Sequence, residues 1–160
     1  GATTISGTTT KKVTVYVNGD ITISSNGVGA SGSPAVPFVD NDNVPYVLLV
    51  ATGNIYIAPG VTTINAVLIA NGTISTCSTG GSLTAPATSA LIAGCGNTLT
   101  INGAVQANNI LFRRSPGTRL LGDTPAERVL FPPYMHFATP KLEDTSKSGY
   151  QALFNAPPYL

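Results

Sequence analysis

Apolar and polar residues alternate along this chain in short bursts. Val13-Thr14-Val15-Tyr16-Val17 alternates cleanly, which predicts a half-buried strand with the three valines on one side. Asn18-Gly19 forms a corner, and Ile21 and Ile23 begin the next strand. Further on, Tyr46 to Ala51 is a continuous apolar run and Asn54 to Ala58 alternates. Pro59-Gly60 then signals a turn, and Val61–Ile64, Asn65–Ala70 and Gly72–Ser75 follow. Thr98–Ile101, Ala104–Gln106 and Ile110–Phe112 repeat the pattern. The only helical signal is Thr124-Pro125-Ala126-Glu127-Arg128-Val129-Leu130. There Thr124 suits an N-cap and proline the first helical position, so a short helix is expected.

One cassette recurs within this pattern: a β-branched residue, a small residue, a polar residue, glycine, a polar residue and isoleucine. It reads Val50-Ala51-Thr52-Gly53-Asn54-Ile55 and again Ile69-Ala70-Asn71-Gly72-Thr73-Ile74. Related forms are Val17-Asn18-Gly19-Asp20-Ile21 upstream and Ile101-Asn102-Gly103-Ala104-Val105 downstream. The steps between the glycines are 34, 19 and 31 residues. A period near 20 with three short strands per step predicts an all-β fold, a single-stranded parallel β-helix (β-solenoid) of triangular coils from about Val13 to Phe112. Its expected core is Val15, Val17, Ile21, Ile23, Val50, Ile55, Ile57, Ile64, Val67, Ile69, Ile74, Leu99, Ile101, Val105 and Ile110.

Two stretches interrupt the repeat and read as loop inserts. Ser24 to Asn43 carries Gly27, Gly29, Gly32, Pro34 and Pro37 and ends in Asp40-Asn41-Asp42-Asn43. Ser78 to Gly94 is polar and small, with a cysteine at each foot, Cys77 and Cys95. These are either two buried thiols or a disulfide closing the insert. Their position favours the disulfide, and a disulfide favours an extracellular address. Beyond Phe112 the composition shifts: the first 112 residues hold five charges, the remaining 48 hold ten, with many prolines. Leu120 to Phe137 is expected to be an irregular, Pro-rich strap lying along the solenoid or over its end. The organisation expected is 1–137, a solenoid with its C-terminal cap, and 138–160, an extended tail.

Composition narrows the function. Charged residues make up only 9% of the 160-residue chain, as suits strands stacked one above another, where like charges repel and Thr and Asn ladders stack well. A net charge of +1 excludes a nucleic-acid face. No run of 18 apolar residues exists to span a membrane.

The blocks VNGDITI, TGNIYIAPGVTTINAVLIANGTISTC and LTINGAVQANNILFRR resemble β-solenoid regions of surface or secreted proteins from small uncultured bacteria of the Patescibacteria type. The resemblance includes the aromatic-Pro segment Glu127 to Tyr134 and covers roughly Val13 to Tyr134. It implies a secreted or surface-displayed structural domain and brings no catalytic residues.

Candidate chemistry is sparse. Asp40 and Asp42 offer oxygen ligands for Ca²⁺ but lack the EF-hand spacing, so a solvated loop tip is the plainer reading. His136 is a lone histidine among aromatics and prolines. Arg113, Arg114 and Arg119 either grip an acidic glycan or partner carboxylate, or simply close a hydrophobic coil. Asn71-Gly72-Thr73 is a formal glycosylation sequon, although a corner glycine explains Gly72 equally. Asp20 is nearly the only acid in a predicted strand region, too few for polysaccharide cleavage, so no enzyme and no cofactor are expected. The apolar, aromatic tail places Tyr150, Leu153, Phe154, Tyr159 and Leu160 where they suit docking on a neighbouring copy; a tail that folds back on its own solenoid or is disordered is the alternative. The expectation is an extracellular structural protein, a self-associating subunit or displayed module of a cell-surface filament, stalk or sheath. An adhesin that binds glycan or a host-cell surface is the alternative.

Overall fold

A computed structural model describes residues 2–30, 44–78, 81–83, 95–115, 125–132 and 135. The fold is all-β, and every strand pair within these residues is parallel. The strands are β1 (Thr3–Ile5), β2 (Thr8–Thr9), β3 (Lys12–Val17), β4 (Ile21–Ile23), β5 (Val28–Ala30) and β6 (Tyr46–Ala51). They continue as β7 (Ile55–Ile57), β8 (Thr63–Asn65), β9 (Val67–Ser75), β10 (Leu99–Asn102), β11 (Val105–Leu111) and β12 (Glu127–Leu130). They form a seven-stranded and a five-stranded sheet.

The pairings arrange the strands in three stacks. In the first, β3, β6 and the leading halves of β9 and β11 align Val17 with Ala51, Ala51 with Ala70 and Ala70 with Ala107. In the second, β1, β4, β7 and the trailing halves of β9 and β11 align Thr3, Ile21, Ile55, Ile74 and Ile110. The third is β2-β5-β8-β10-β12, in which Ile64 pairs with both Val28 and Ile101. Along the chain the strands visit the three stacks in a fixed rotation, with β9 and β11 each turning a corner inside one strand.

The core lies between the stacks. Ile21, Ile23, Ile55, Ile57, Ile64, Ile74, Leu99 and Ile101 are all buried, as their spacing predicts. Burying each such side chain contributes about 1.5–3 kcal/mol. Val15, Val17 and Val105 pack against the core but are only half-buried, because β3 and β11 are the outermost strands of their stack.

Four expected core residues need correction. Val50, Val67 and Ile69 are half-buried because the phase of their strands differs from that expected, and Ile110, in register with buried Ile74, is half-buried because β11 is an outermost strand. On β6, Val47, Leu49 and Ala51 face inward, and on β9 Leu68 and Ala70 do. Both faces of these strands carry apolar residues, so periodicity alone does not choose the phase. Register with Val15 and Val17 does.

The ends also differ from expectation. Regular pairing starts at Thr3, since β1 and β2 pair with β4 and β5. Threonine is β-branched and suits a pleated surface, which the low apolar content of this segment concealed. At the other end, Glu127–Leu130 is a strand paired with β10 rather than the expected helix. The open edge of β10 offers four residues a ladder, and a single turn of helix offers less. Of the strap, Met135 is buried, its N–H donating to the Pro132 carbonyl at 2.9 Å, while Phe131 stays 49% exposed.

Candidate functional site

Three places on this scaffold concentrate side-chain chemistry. The first is the corner between the first and second stacks. Gly19, Gly53 and Gly72 stand in column, with the Gly53 N–H donating to the Gly19 carbonyl (2.9 Å) and the Gly72 N–H to the Gly53 carbonyl (2.8 Å). Asp20 Oδ1 accepts from the Asn54 backbone N–H at 2.7 Å, and Asn54 Oδ1 accepts from the Thr73 N–H at 2.8 Å. A Cβ on Gly53 would sit 2.1 Å from Asp20 Oδ1, and one on Gly72 would sit 2.4 Å from Asn54 Oδ1. The column leaves room only for glycine. Gly103 does not belong to it. It follows β10 and lies beside Ala66, whose carbonyl oxygen a Cβ there would meet at 2.0 Å, so the downstream cassette marks a different corner. In β11 the first corner is turned by a register shift between Ala107 and Asn109 instead.

The second place joins the disulfide to the chain's later half. Cys77 and Cys95 are bonded to each other, with Cα atoms 5.9 Å apart, and both are buried. The Ser115 N–H donates to the Cys95 carbonyl at 3.0 Å. Next to it Arg114, 7% exposed, donates from Nε to the Thr76 carbonyl (2.7 Å), from Nη2 to the Ala58 carbonyl (2.9 Å) and from Nη1 to the Pro59 carbonyl. Burial lowers the pKa of this guanidinium, and the Glu127 carboxylate opposes that shift. Glu127 Oε1 accepts from the Thr76 hydroxyl and the Arg114 backbone N–H, both at 2.6 Å. Arg114 thus spends its charge inside the protein and does not serve a glycan or partner carboxylate. Arg113 donates to the Leu83 carbonyl.

The third place is the outward face of the first stack. Tyr16, Val50, Ile69 and Gln106 lie in one row, because Tyr16 pairs with Val50, Val50 with Ile69 and Ile69 with Gln106. Two residues further along each of these chains come Asn18, Thr52, Asn71 and Asn108. The Thr52 hydroxyl donates to Asn18 Oδ1 at 3.0 Å, and Asn108 Nδ2 donates to the Asn71 carbonyl. Apart from Asn18, the two rows line a shallow cleft of about 380 Å³, and none of the lining residues is Asp, Glu, Lys, Arg or His. Sequence reasoning missed this cleft. The apolar members were assigned to the core, and the signal that identifies it is the pairing of Val15 and Val17 with Leu49 and Ala51.

Of the remaining sequence candidates, Asn71 is exposed and Thr73 of its sequon is buried. Asp40, Asp42, Arg119, His136 and the tail residues Tyr150, Leu153, Phe154, Tyr159 and Leu160 lie outside the described residues, as does all of 138–160. Among the described residues, no three of His, Cys, Asp and Glu gather in a way that would hold a metal ion. No helix there is long and apolar enough to cross a membrane. No family model, curated protein or solved structure matches the chain.

Proposed function

We propose that the chain is a three-faced β-solenoid acting as an extracellular structural subunit, non-enzymatic, whose copies associate end to end. The solenoid reading is supported by the fixed rotation of strands among the three stacks. The disulfide supports an oxidising compartment, and the resemblance to bacterial surface proteins supports the cell surface within that class.

One observation carries the assembly. Within the described residues, β1, β2 and β3 at one end of the stacks pair on one side only, as do β11 and β12 at the other. An open strand layer is a template for another chain. At the first end a hollow of about 150 Å³ reaches the core residues Val28, Val47 and Leu49, and at the other Val129 and Leu130 are each 41% exposed. The two ends carry the same three strand directions, so a second copy continues the rotation without reversal.

Electron microscopy of the full chain across a concentration series tests this reading. Fibres that lengthen with concentration are the expected result, and a chain that stays monomeric throughout overturns it. Light scattering of the chain lacking 150–160 then tests the tail: an unchanged oligomeric state removes the tail from the contact. An adhesive, glycan-binding role is the second reading, favoured by the cleft beside Tyr16.

A further inference from the structure

We infer that the cleft on the outward face of the first stack binds a neutral, linear glycan laid along the stack, across the strands. This deepens the glycan-binding reading and stands whether or not copies assemble, because the cleft is on the side of the stacks and not at their ends.

The lining chooses the ligand class. Tyr16 is 67% exposed, and nothing in the backbone requires an aromatic ring at a solvated strand position. Such a ring offers an apolar face to the C–H face of a sugar and a hydroxyl at its edge. Gln106, Asn71 and Asn108 are exposed amides on the same face. The side-chain amides of Asn71 and Gln106 make no hydrogen bond within the described residues, so their donors and acceptors are available together. Paired donors and acceptors match vicinal hydroxyls, which also present both. Val50 and Ile69 form the apolar floor between them.

Other ligand classes fit less well. The cleft holds no cation, so it offers a phosphate backbone or an acidic polysaccharide nothing to neutralise. A peptide adding as a strand needs a free edge; β6 and β9, which form the cleft floor, are paired on both sides, and the open edges of β3 and β11 lie at the ends of the stack rather than over the floor. A linear glycan needs neither. The cleft runs from β3 to β11, three strand intervals or roughly 14 Å at about 4.8 Å each, the length of about three sugar rings.

Titrating the full chain with short neutral oligosaccharides of glucose, mannose or N-acetylglucosamine tests the inference, read by backbone amide NMR and by tyrosine fluorescence. The expected result is saturable binding to at least one series, with shifts confined to Tyr16, Val50, Ile69, Asn71 and Gln106. Tyr16→Ala weakens it about tenfold or more, Gln106→Ala weakens it several-fold, and Arg128→Ala on β12 leaves it unchanged. Both weakened positions are exposed, so melting temperatures near that of the unaltered chain establish that the variants fold. Binding to none of the three series, or binding that Tyr16→Ala leaves intact, overturns the proposal. So does a Tyr16→Ala variant that changes oligomeric state without changing glycan affinity, since the face is then a lateral contact between copies.

Discussion

Asn54 sits directly over Asp20. One carboxylate oxygen of Asp20 takes the Asn54 backbone N–H at 2.7 Å and its side-chain amide at 3.3 Å, across 34 residues of chain. Asn54 repeats the gesture one strand further, to the Thr73 N–H only 19 residues away. The corner is thus held by side chains standing in for backbone acceptors, and each link fixes the register of the strands on both sides.

Asp20→Ala should therefore lower stability by about 1.5–3 kcal/mol, the range for hydrogen bonds to a charged group. Asp20→Asn, which keeps one oxygen in place, should cost less. Urea unfolding of the two variants against the unaltered chain measures both.

Gly29 and Gly60 make a paired test of backbone geometry. Gly29 has φ +121°, and a Cβ there would meet the Asn65 carbonyl oxygen at 2.1 Å, whereas a Cβ on Gly60 meets nothing within 4 Å. Gly29→Ala is expected to cost about 2 kcal/mol or more, from strain and steric conflict together. Gly60→Ala should stay within about 0.5 kcal/mol of the unaltered chain. Similar melting curves for the two variants would contradict this.

Arg114→Met should be among the most damaging single changes, costing about 3–5 kcal/mol. It takes the guanidinium donors from the carbonyls of Pro59 and Thr76, leaves the Ala58 carbonyl with the Val61 N–H alone, and removes the cation beside a carboxylate whose Oε2 is buried without a hydrogen-bond partner in the described residues. Arg114→Lys should rescue little, because one ammonium cannot reproduce the planar fork that reaches three acceptors. Chemical denaturation of both variants decides it.

Reducing the Cys77–Cys95 bond, which closes a separation of 18 residues, should remove about 3 kcal/mol in the chain-entropy account. For a chain of this size that lowers Tm by about 6–12 °C. The strand signature in circular dichroism should survive reduction at room temperature, since the stacks on either side pair without the bridge.

The sequence was most readable where one residue type has one job. Ile21, Ile23 and Ile74 each lie between polar neighbours, so alternation alone places them inside. Gly53 and Gly72 were readable for the same reason, each being wedged under a carboxylate or amide oxygen of the strand below. Readability failed where a residue type serves two places. Asn102-Gly103 looks like Asn18-Gly19 yet turns the corner beside Ala66. Val50 and Ile69 resemble core residues, but whether they or Leu49 and Leu68 point inward is decided by pairing partners dozens of positions away. Pro125 and Glu127 read locally as a helix start, while the unpaired edge of β10, invisible to local pattern, draws them into a strand.

The paired residues are separated by very different lengths of chain: 19 between Asn54 and Thr73, 37 between Asn65 and Asn102. In polymer terms, doubling a loop costs only about 0.6 kcal/mol of closure entropy. That is less than the Asp20–Asn54 contact contributes. New sequence spliced between β5 and β6, or between the two cysteines, is thus nearly free thermodynamically. Such a scaffold can diversify at those two joints while its register stays fixed, and the same two joints are where a foreign peptide is best grafted.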